Sequence, residues 1–397
     1  MKYNFDEIVN RRDTYSMKWG GAALFKMFGM EAHWNDETIP MMVADMDFKC
    51  PPAIQAAMHR VADFGIYGYT THFAEPRYNQ SIVDWYKRRY DTDIKPEWIL
   101  YSDGSVSAIN CAMNTFLNPG EGVIITPPVY GHFNGMIDGE TCHKPVHCQL
   151  INDDGYYTMG WADFEAKCAV PTNRMFILCS PANPIGRVWT AEELARVADI
   201  CKRNHVLLVA DEIHSDILRR GVKHVPILKA TEDYSNIILV TGINKSFNVA
   251  GLHCANVIIP DDNLREVFRS QFGMKMPTPF AVAAVVAAYD ESEEWLEALN
   301  DYLDANIDYA IGFIREHMPK VRVWKPEGTY MLWLDFSAYG LTGAEIHERI
   351  YEDANVMLQD GRGHDPSQGE CFQRMCITLP RPQLEIALKR ISAQFRP

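Results

Sequence analysis

The spacing of hydrophobic positions changes along the chain and divides it. Between residues 123 and 259, short unbroken apolar runs recur at 123–125, 175–179, 206–210, 237–240 and 256–259. Between several of them lie polar stretches rich in helix-favouring residues. The clearest, 190–204, opens with Thr190 and Glu193 at capping-box spacing, where hydroxyl and carboxylate each reach the other's backbone N–H. Continuously apolar strands alternating with helices predict a mostly parallel sheet covered on both faces. Beyond residue 292 the period lengthens. Leu296, Leu299, Leu303, Ile307, Ala310 and Ile314 fall three or four apart and predict one long amphipathic helix over 293–318, long enough to bridge two lobes. A strand over 329–336, a helix around 343–353, a Gly-rich stretch at 360–369 and a closing helix from Gln383 follow. The expected architecture is α/β, with a large ligand-binding domain over 49–291. A smaller α+β domain draws on both chain ends, an N-terminal arm over 1–48 and the segment 292–397.

Composition narrows the function classes. The chain of 397 residues is 47% hydrophobic and 23% charged, which suits a buried core and opposes large-scale disorder. Its 38 basic and 52 acidic residues leave a formal charge of −14, which argues against nucleic acid or an anionic membrane as partner. The longest apolar run, 280–289, is half the ~20 residues a membrane-spanning helix needs. No apolar signal core precedes Asp6 and Glu7. Ten cysteines without C-x-x-C spacing predict neither a disulfide framework nor a zinc site, and Cys179 and Cys254 read as small buried hydrophobes. A reduced, cytoplasmic protein is expected.

Ligands of parallel α/β sheets lie outside the carboxyl ends of the strands. The residues just past each apolar run are therefore the candidates. After 175–179 comes Ser180-Pro181-Ala182-Asn183-Pro184-Ile185-Gly186-Arg187; after 206–210, Asp211-Glu212-Ile213-His214; after 237–240, Thr241-Gly242-Ile243-Asn244-Lys245-Ser246. An amide, a carboxylate and a lysine delivered to one sheet edge suit a ring that is hydrogen-bonded, charged at its nitrogen and held covalently. Pyridoxal 5′-phosphate (PLP) is such a ring. Lys245 would hold the cofactor covalently and, once released by substrate, act as general base at the substrate Cα. Asp211 would keep the pyridine nitrogen protonated. Asn183 would hydrogen-bond the ring hydroxyl, with His214 as the alternative or additional partner. Tyr130, after the run at 123–125, would stack on the ring face. Gly104, Ser105 and Val106 open a helical pattern whose backbone amides suit the phosphate.

Each residue type has an ordinary reading when taken singly: a solvated lysine, a loop aspartate, a turn asparagine between prolines, an unliganded helix start, a core tyrosine. Their joint arrival at one edge is what sets them apart. No metal is expected, because His214 and Asp216 lack further ligands at metal spacing and His347-Glu348 lacks the second histidine of a zinc-protease helix.

Taken together, these motifs resemble the fold-type I PLP enzymes of the class I/II aminotransferase superfamily, whose architecture is that of aspartate aminotransferase. Lys245-Ser246-Phe247-Asn248-Val249-Ala250-Gly251 completes the set. Further pieces resemble the cystathionine β-lyase (C–S lyase) branch: Phe5-Asp6 with Lys18-Trp19, Pro40 to Phe48, Gly68-Tyr69-Thr70, and Gly328 to Asp335. The resemblance spans about residues 5–395. It implies that Arg374 clamps the substrate α-carboxylate, with the Ala44 backbone amide beside it. It also implies that Tyr69 reaches the cofactor phosphate of a neighbouring subunit, hence a homodimer with its sites at the interface. The implied activity is cleavage of L-cystathionine or a related S-substituted L-cysteine to a thiol, pyruvate and ammonia. Amino-acid transamination is the rival, and a regulatory or binding protein that kept the fold is the third reading. The chain departs from the branch at Met42 (commonly Trp), Ala182 (His), Asn244 (Ser), His364-Asp365 (Phe-Gly) and Cys376 (Asn). These departures bear on substrate choice.

Overall fold

The apolar runs become strands whose residues alternate between two interiors. In a computed structural model that describes residues 3–21 and 34–395, seven strands form the central sheet. They are β1 (Ile99–Ser102), β2 (Gly122–Ile125), β3 (Lys144–His147), β4 (Asn173–Cys179), β5 (Leu207–Asp211), β6 (Ile237–Thr241) and β7 (Ala255–Ile258). Their order is β1-β7-β6-β5-β4-β2-β3. Phe176, Leu178, Leu208, Ala210 and Leu239 belong to one core, whereas Met175, Ile177, Val209, Ile238 and Val240 belong to the other. Successive side chains of a strand point to opposite faces, so burial on both faces removes the polar half of the alternation. The first core is closed by α1 (Pro52–Phe64), α2 (Arg77–Tyr90), α4 (Ala191–Arg203) and α6 (Pro279–Glu291). The second is closed by α3 (Ser105–Phe116) and α5 (Asp262–Phe272). The capping box at Thr190 and Glu193 forms as expected at the start of α4.

One strand departs from the parallel pattern. β7 is antiparallel to both β1 and β6, while the neighbouring pairs from β6 to β3 are parallel. The connection from β6 to β7 carries only the 3₁₀ turn Ala250–Leu252. A parallel return needs a crossover, usually a helix, to carry the chain back to the far end of the sheet. Without one, the chain re-enters where it left.

The helix expected over 293–318 is α7 (Glu293–His317), and it joins two interiors. Leu296, Leu299 and Leu303 enter the core on the central sheet. Ile307, Ala310, Ile311 and Ile314 enter a separate core with Ile39, Met41 and Met42 from the N-terminal segment. That core rests on a four-stranded antiparallel sheet of β8 (Arg322–Val323), β9 (Met331–Asp335), β10 (Gln359–Asp360) and β11 (Phe372–Cys376), ordered β8-β9-β11-β10. The closing helix α8 (Arg381–Gln394) starts two residues before Gln383, with proline in its first turn where no N–H is missed. The 343–353 helix is α-helical over Gly343–His347 and continues as a π-helix. Of the arm expected over 1–48, residues 1, 2 and 22–33 lie outside the described residues. No helix among the described residues is long and apolar enough to cross a membrane.

Buried charge holds the arm in place. Lys18 is fully buried, with Nζ 2.8 Å from Asp47 Oδ2. Arg11 donates from Nη1 to Asp47 Oδ1 at 2.6 Å and from Nη2 to Asp45 Oδ2 at 2.8 Å. Trp19 Nε1 donates to the same Asp47 Oδ1 at 2.8 Å. Asn248, in the left-handed region at φ 55°, clasps the segment from the other side. Its Nδ2 donates to the Met46 and Phe48 carbonyls at 2.9 and 2.7 Å, and its Oδ1 accepts from Met46 N–H at 3.0 Å. Removing one partner of a buried pair strands the other charge. Asp47→Ala is therefore expected to destabilise the chain by about 3–5 kcal/mol in urea unfolding, and a loss below ~1 kcal/mol would show that the cluster is solvated.

Candidate active site

Sheet register brings the chemistry together. Cys179 lies opposite Asp211, and Asp211 opposite Val240, across three parallel strands. Through β7 the line continues, since Asn256 faces Thr241 and Ala255 faces Ser102. At and just past these four strand ends stand Asn183, Asp211 with His214, Lys245, and the helix start at Gly104. The second sheet supplies Arg374 from β11, and the segment at 42–44 completes the wall.

Lys245 Nζ donates to the Ala44 carbonyl at 2.8 Å. Arg374 donates from Nη1 to Asn183 Oδ1 at 3.0 Å and from Nη2 to the Met42 carbonyl at 2.7 Å. The guanidinium thus ties the small sheet to the large one, and Asn183 keeps its NH₂ as a donor. Burial lowers the Lys245 amine, with Arg374 adding to the effect and the Asp45 carboxylate opposing it. That favours a neutral, nucleophilic amine. Burial pushes the Asp211 carboxyl up to about 6, against the pull of the Ile213 N–H and Lys245. The Ile213 N–H sits 3.3 Å from Oδ1, and no described cation lies within ion-pairing distance of Asp211. A cationic N–H, such as a pyridinium, is what this carboxylate wants. His214 is held neutral by burial, with Lys245 and Arg374 adding to the effect, and its buried Nδ1 has no partner among the described residues. At the start of α3, Gly104 offers no capping side chain, and a Cβ there would meet open space. The first-turn N–H groups are thus free for an anion. These features fit PLP: a carboxylate for the ring nitrogen, an amide and an imidazole for the hydroxyl, a helix start for the phosphate and a lysine whose amine is lowered by burial.

The structure brings Lys245, Asp211, Asn183, His214, Arg374 and Ala44 together, with Ala44 engaged through its carbonyl. Tyr130 is half-buried, its ring edge-on to Phe133 at 5.3 Å, and the charges of Arg374 and Asp211 both act on its hydroxyl. Gly104, Ser105 and Val106 stand at the same sheet edge. Tyr69 does not join them and is 99% exposed beyond α1. Among the departures, Asn244 keeps a buried Oδ1 without a partner among the described residues, and Ala182 is core. His364 donates from Nδ1 to the Val129 carbonyl at 2.9 Å, and Cys376 is buried with its thiol pushed up by desolvation.

Two sets of residues escaped the sequence reading. Asp216, buried behind Lys245, accepts from Ser246 Oγ at 2.8 Å, from Trp85 Nε1 at 3.1 Å and from the Tyr90 hydroxyl. It anchors the residue next to the lysine to α2, a role that its position beside His214, weighed above only for metal binding, did not reveal. Tyr330, inside the quoted Gly328–Asp335 stretch, donates to the Ala44 carbonyl at 3.0 Å.

A family model described as aminotransferase class I and II matches residues 37–391. The chain belongs to that family. It is 36% identical to cystathionine beta-lyase PatB of Bacillus subtilis (strain 168), over 98% of this chain and 99% of that one. A PLP-bound C–S lyase from Staphylococcus hominis, solved with L-cycloserine, superposes with a TM-score of 0.93 at 34% identity, covering 99% and 98% of the two chains. Cystalysin from Treponema denticola, which contains a pyridoxal 5′-phosphate cofactor, gives 0.92 at 30% identity over 99% of each chain.

The Asp211 carboxyl titrates higher in the folded chain than the ~3.9 of an unfolded one. Stability of the cofactor-free chain should therefore fall as pH rises from about 4 to about 6, and the cost is fully present above that. Cofactor-free Asp211→Asn is expected to exceed the wild type by about 1–3 kcal/mol at pH 7.5 and to lose that margin near pH 4. Urea unfolding at the two pH values measures it, and a pH-independent gap refutes this account of the carboxyl.

Proposed function

We propose that the chain is a PLP-dependent carbon–sulfur β-lyase acting on L-cystathionine or a related S-substituted L-cysteine, releasing a thiol, pyruvate and ammonia. The observation that carries the reading is the intact set of Lys245, Asp211 and Asn183 at one sheet edge, met by Arg374 from the second sheet, in a chain 36% identical along its length to PatB. Arg374 receives the substrate α-carboxylate as a bidentate pair and sets which Cα bond faces Lys245. Asn183, held by Arg374 through its oxygen, turns its NH₂ to the ring hydroxyl. Asp211 pairs with the ring nitrogen, and Gly104, Ser105 and Val106 hold the phosphate. Tyr130 covers the ring face. Lys245, free of its covalent bond and with its amine lowered by desolvation, takes the Cα proton. When bound, PLP supplies the electron sink for the negative charge left at Cα, after which the β-thiolate departs.

Transamination uses the same groups, and the family's name favours it as the second reading. The two differ in product stoichiometry. The loaded chain given L-cystathionine without a keto acid should accumulate pyruvate over many turnovers. A single equivalent of keto acid per site, followed by arrest, would overturn the lyase reading. Lys245→Ala is expected to abolish both turnover and the absorbance of lysine-linked cofactor, and normal turnover in that variant would remove Lys245 from the mechanism.

The working unit in this reading is a homodimer in the cytoplasm. Phe64, Ile66, Tyr67 and Tyr69, with Met274, are large apolar residues exposed to solvent. Exposed large apolar side chains of this kind suit an interaction surface, and a second copy would bring Tyr69 to its partner's phosphate. Light scattering is expected to give twice the chain mass of 45.3 kDa. A monomer with full activity would discard the shared site. Ten free cysteines are consistent with a reducing compartment.

A further inference from the structure

Resting on the reading of Lys245 as the base, we propose that Tyr330 is a positioning residue that aims the Ala44 carbonyl at the Lys245 amine. Ala44 lies in a stretch without regular secondary structure; the Asp45 N–H of the same peptide unit donates to the Val43 carbonyl at 2.9 Å, but no ladder bond reaches the Ala44 oxygen itself. A carbonyl oxygen has two lone pairs. One receives Lys245 Nζ at 2.8 Å and the other the Tyr330 hydroxyl at 3.0 Å.

Tyr330 is well placed to act as a fixed point. It is fully buried at the mouth of β9, and its ring stands edge-on to His214 at 5.4 Å. Its own carbonyl accepts from Ile377 N–H at 2.8 Å, which ties it to the strand end beyond Arg374. The segment that carries Ala44 is held further along by Asn248 and by Thr378, whose Oγ1 donates to the Asp45 carbonyl at 2.7 Å. Neither of those contacts reaches Ala44 itself, and the Tyr330 hydroxyl does.

The chemistry gives the oriented carbonyl a task. When Lys245 acts as base, its nitrogen lone pair takes the Cα proton and the C–H electron pair stays with the substrate carbon. The ammonium so formed feels the repulsion of the Arg374 guanidinium and donates to the Ala44 carbonyl dipole. A dipole already aimed at the developing charge needs no reorganisation when the proton moves. The same contact receives the amine whenever it is not covalently engaged, so the lysine is delivered rather than lost to other rotamers.

The test compares Tyr330→Phe with the wild type. The variant removes one oxygen and keeps the ring. In the full chain stripped of PLP and resupplied with it, the absorbance of lysine-linked cofactor should return roughly three- to tenfold more slowly, the scale of one lost hydrogen bond. With Cα-deuterated substrate, the isotope effect on turnover should rise while KM stays within about twofold, as expected when an interaction that strengthens as the proton moves is removed. Reloading and isotope effect both equal to wild type would overturn the proposal. So would a Y330F chain that melts far below the wild type, because the hydroxyl would then serve the fold rather than Lys245. Reloading does not depend on which product forms, so a chain found to transaminate would leave this result intact.

Discussion

Cys179, Asp211 and Val240 stand side by side across three parallel strands, and the rest of the site hangs from that line. Parallel strands buried on both faces have no freedom to slip, because a shift of one residue would turn every side chain to the opposite interior. The ends of the strands are therefore held as firmly as the cores beneath them. Loops that leave those ends deliver Asn183, His214 and Lys245 without having to find one another. The antiparallel β7 belongs to the same arrangement. The chain between β6 and β7 is occupied in carrying Lys245 and Asn248, and without a crossover helix it turns straight back into the sheet.

The second constraint is electrostatic and joins the parts the sheet does not reach. Arg374 comes from the small sheet, yet its Nη1 is held by Asn183 beyond β4 and its Nη2 by the Met42 carbonyl. Lys18 and Arg11 fasten the arm to Asp45 and Asp47, immediately after Ala44. Asp216 fastens Ser246, immediately after Lys245, to Trp85 and Tyr90 of α2. In each case an ionic group has at least one partner within hydrogen-bond reach, which is the condition under which burial of charge is tolerated. Such contacts are directional, so they set where Lys245 and Ala44 stand. Burial then leaves the lysine amine lowered and the Asp211 carboxyl raised, each ready for a partner that supplies the missing charge or bond.

Much of this was legible in the linear chain, for reasons that can be named. The unbroken apolar runs, each giving way to a polar loop, specified a parallel sheet, because only strands buried on both faces lose their alternation. Strand order makes the carboxyl edge the site, so Asn183, Asp211 and Lys245 were readable from their places just past the runs. The period of α7 was readable too, as was the capping box of α4. Arg374, Ala44 and Tyr69 came only through resemblance, since nothing local to a strand interior, an irregular segment or an exposed loop announces them.

Local preference and burial are properties of neighbours in sequence, and to that extent the chain by itself determined its elements, its two-faced sheet and three of its chemical groups. Which lone pair of the Ala44 carbonyl faces Lys245, that Tyr330 takes the other, and that Asp216 rather than solvent holds Ser246 depend on residues up to hundreds of positions apart. So does the antiparallel course of β7, which is dictated by the groups the intervening loop must hold. Only the tertiary structure decided these, because hydrogen-bond direction and the pairing of buried charge are set by packing in three dimensions and leave no periodic trace along the chain.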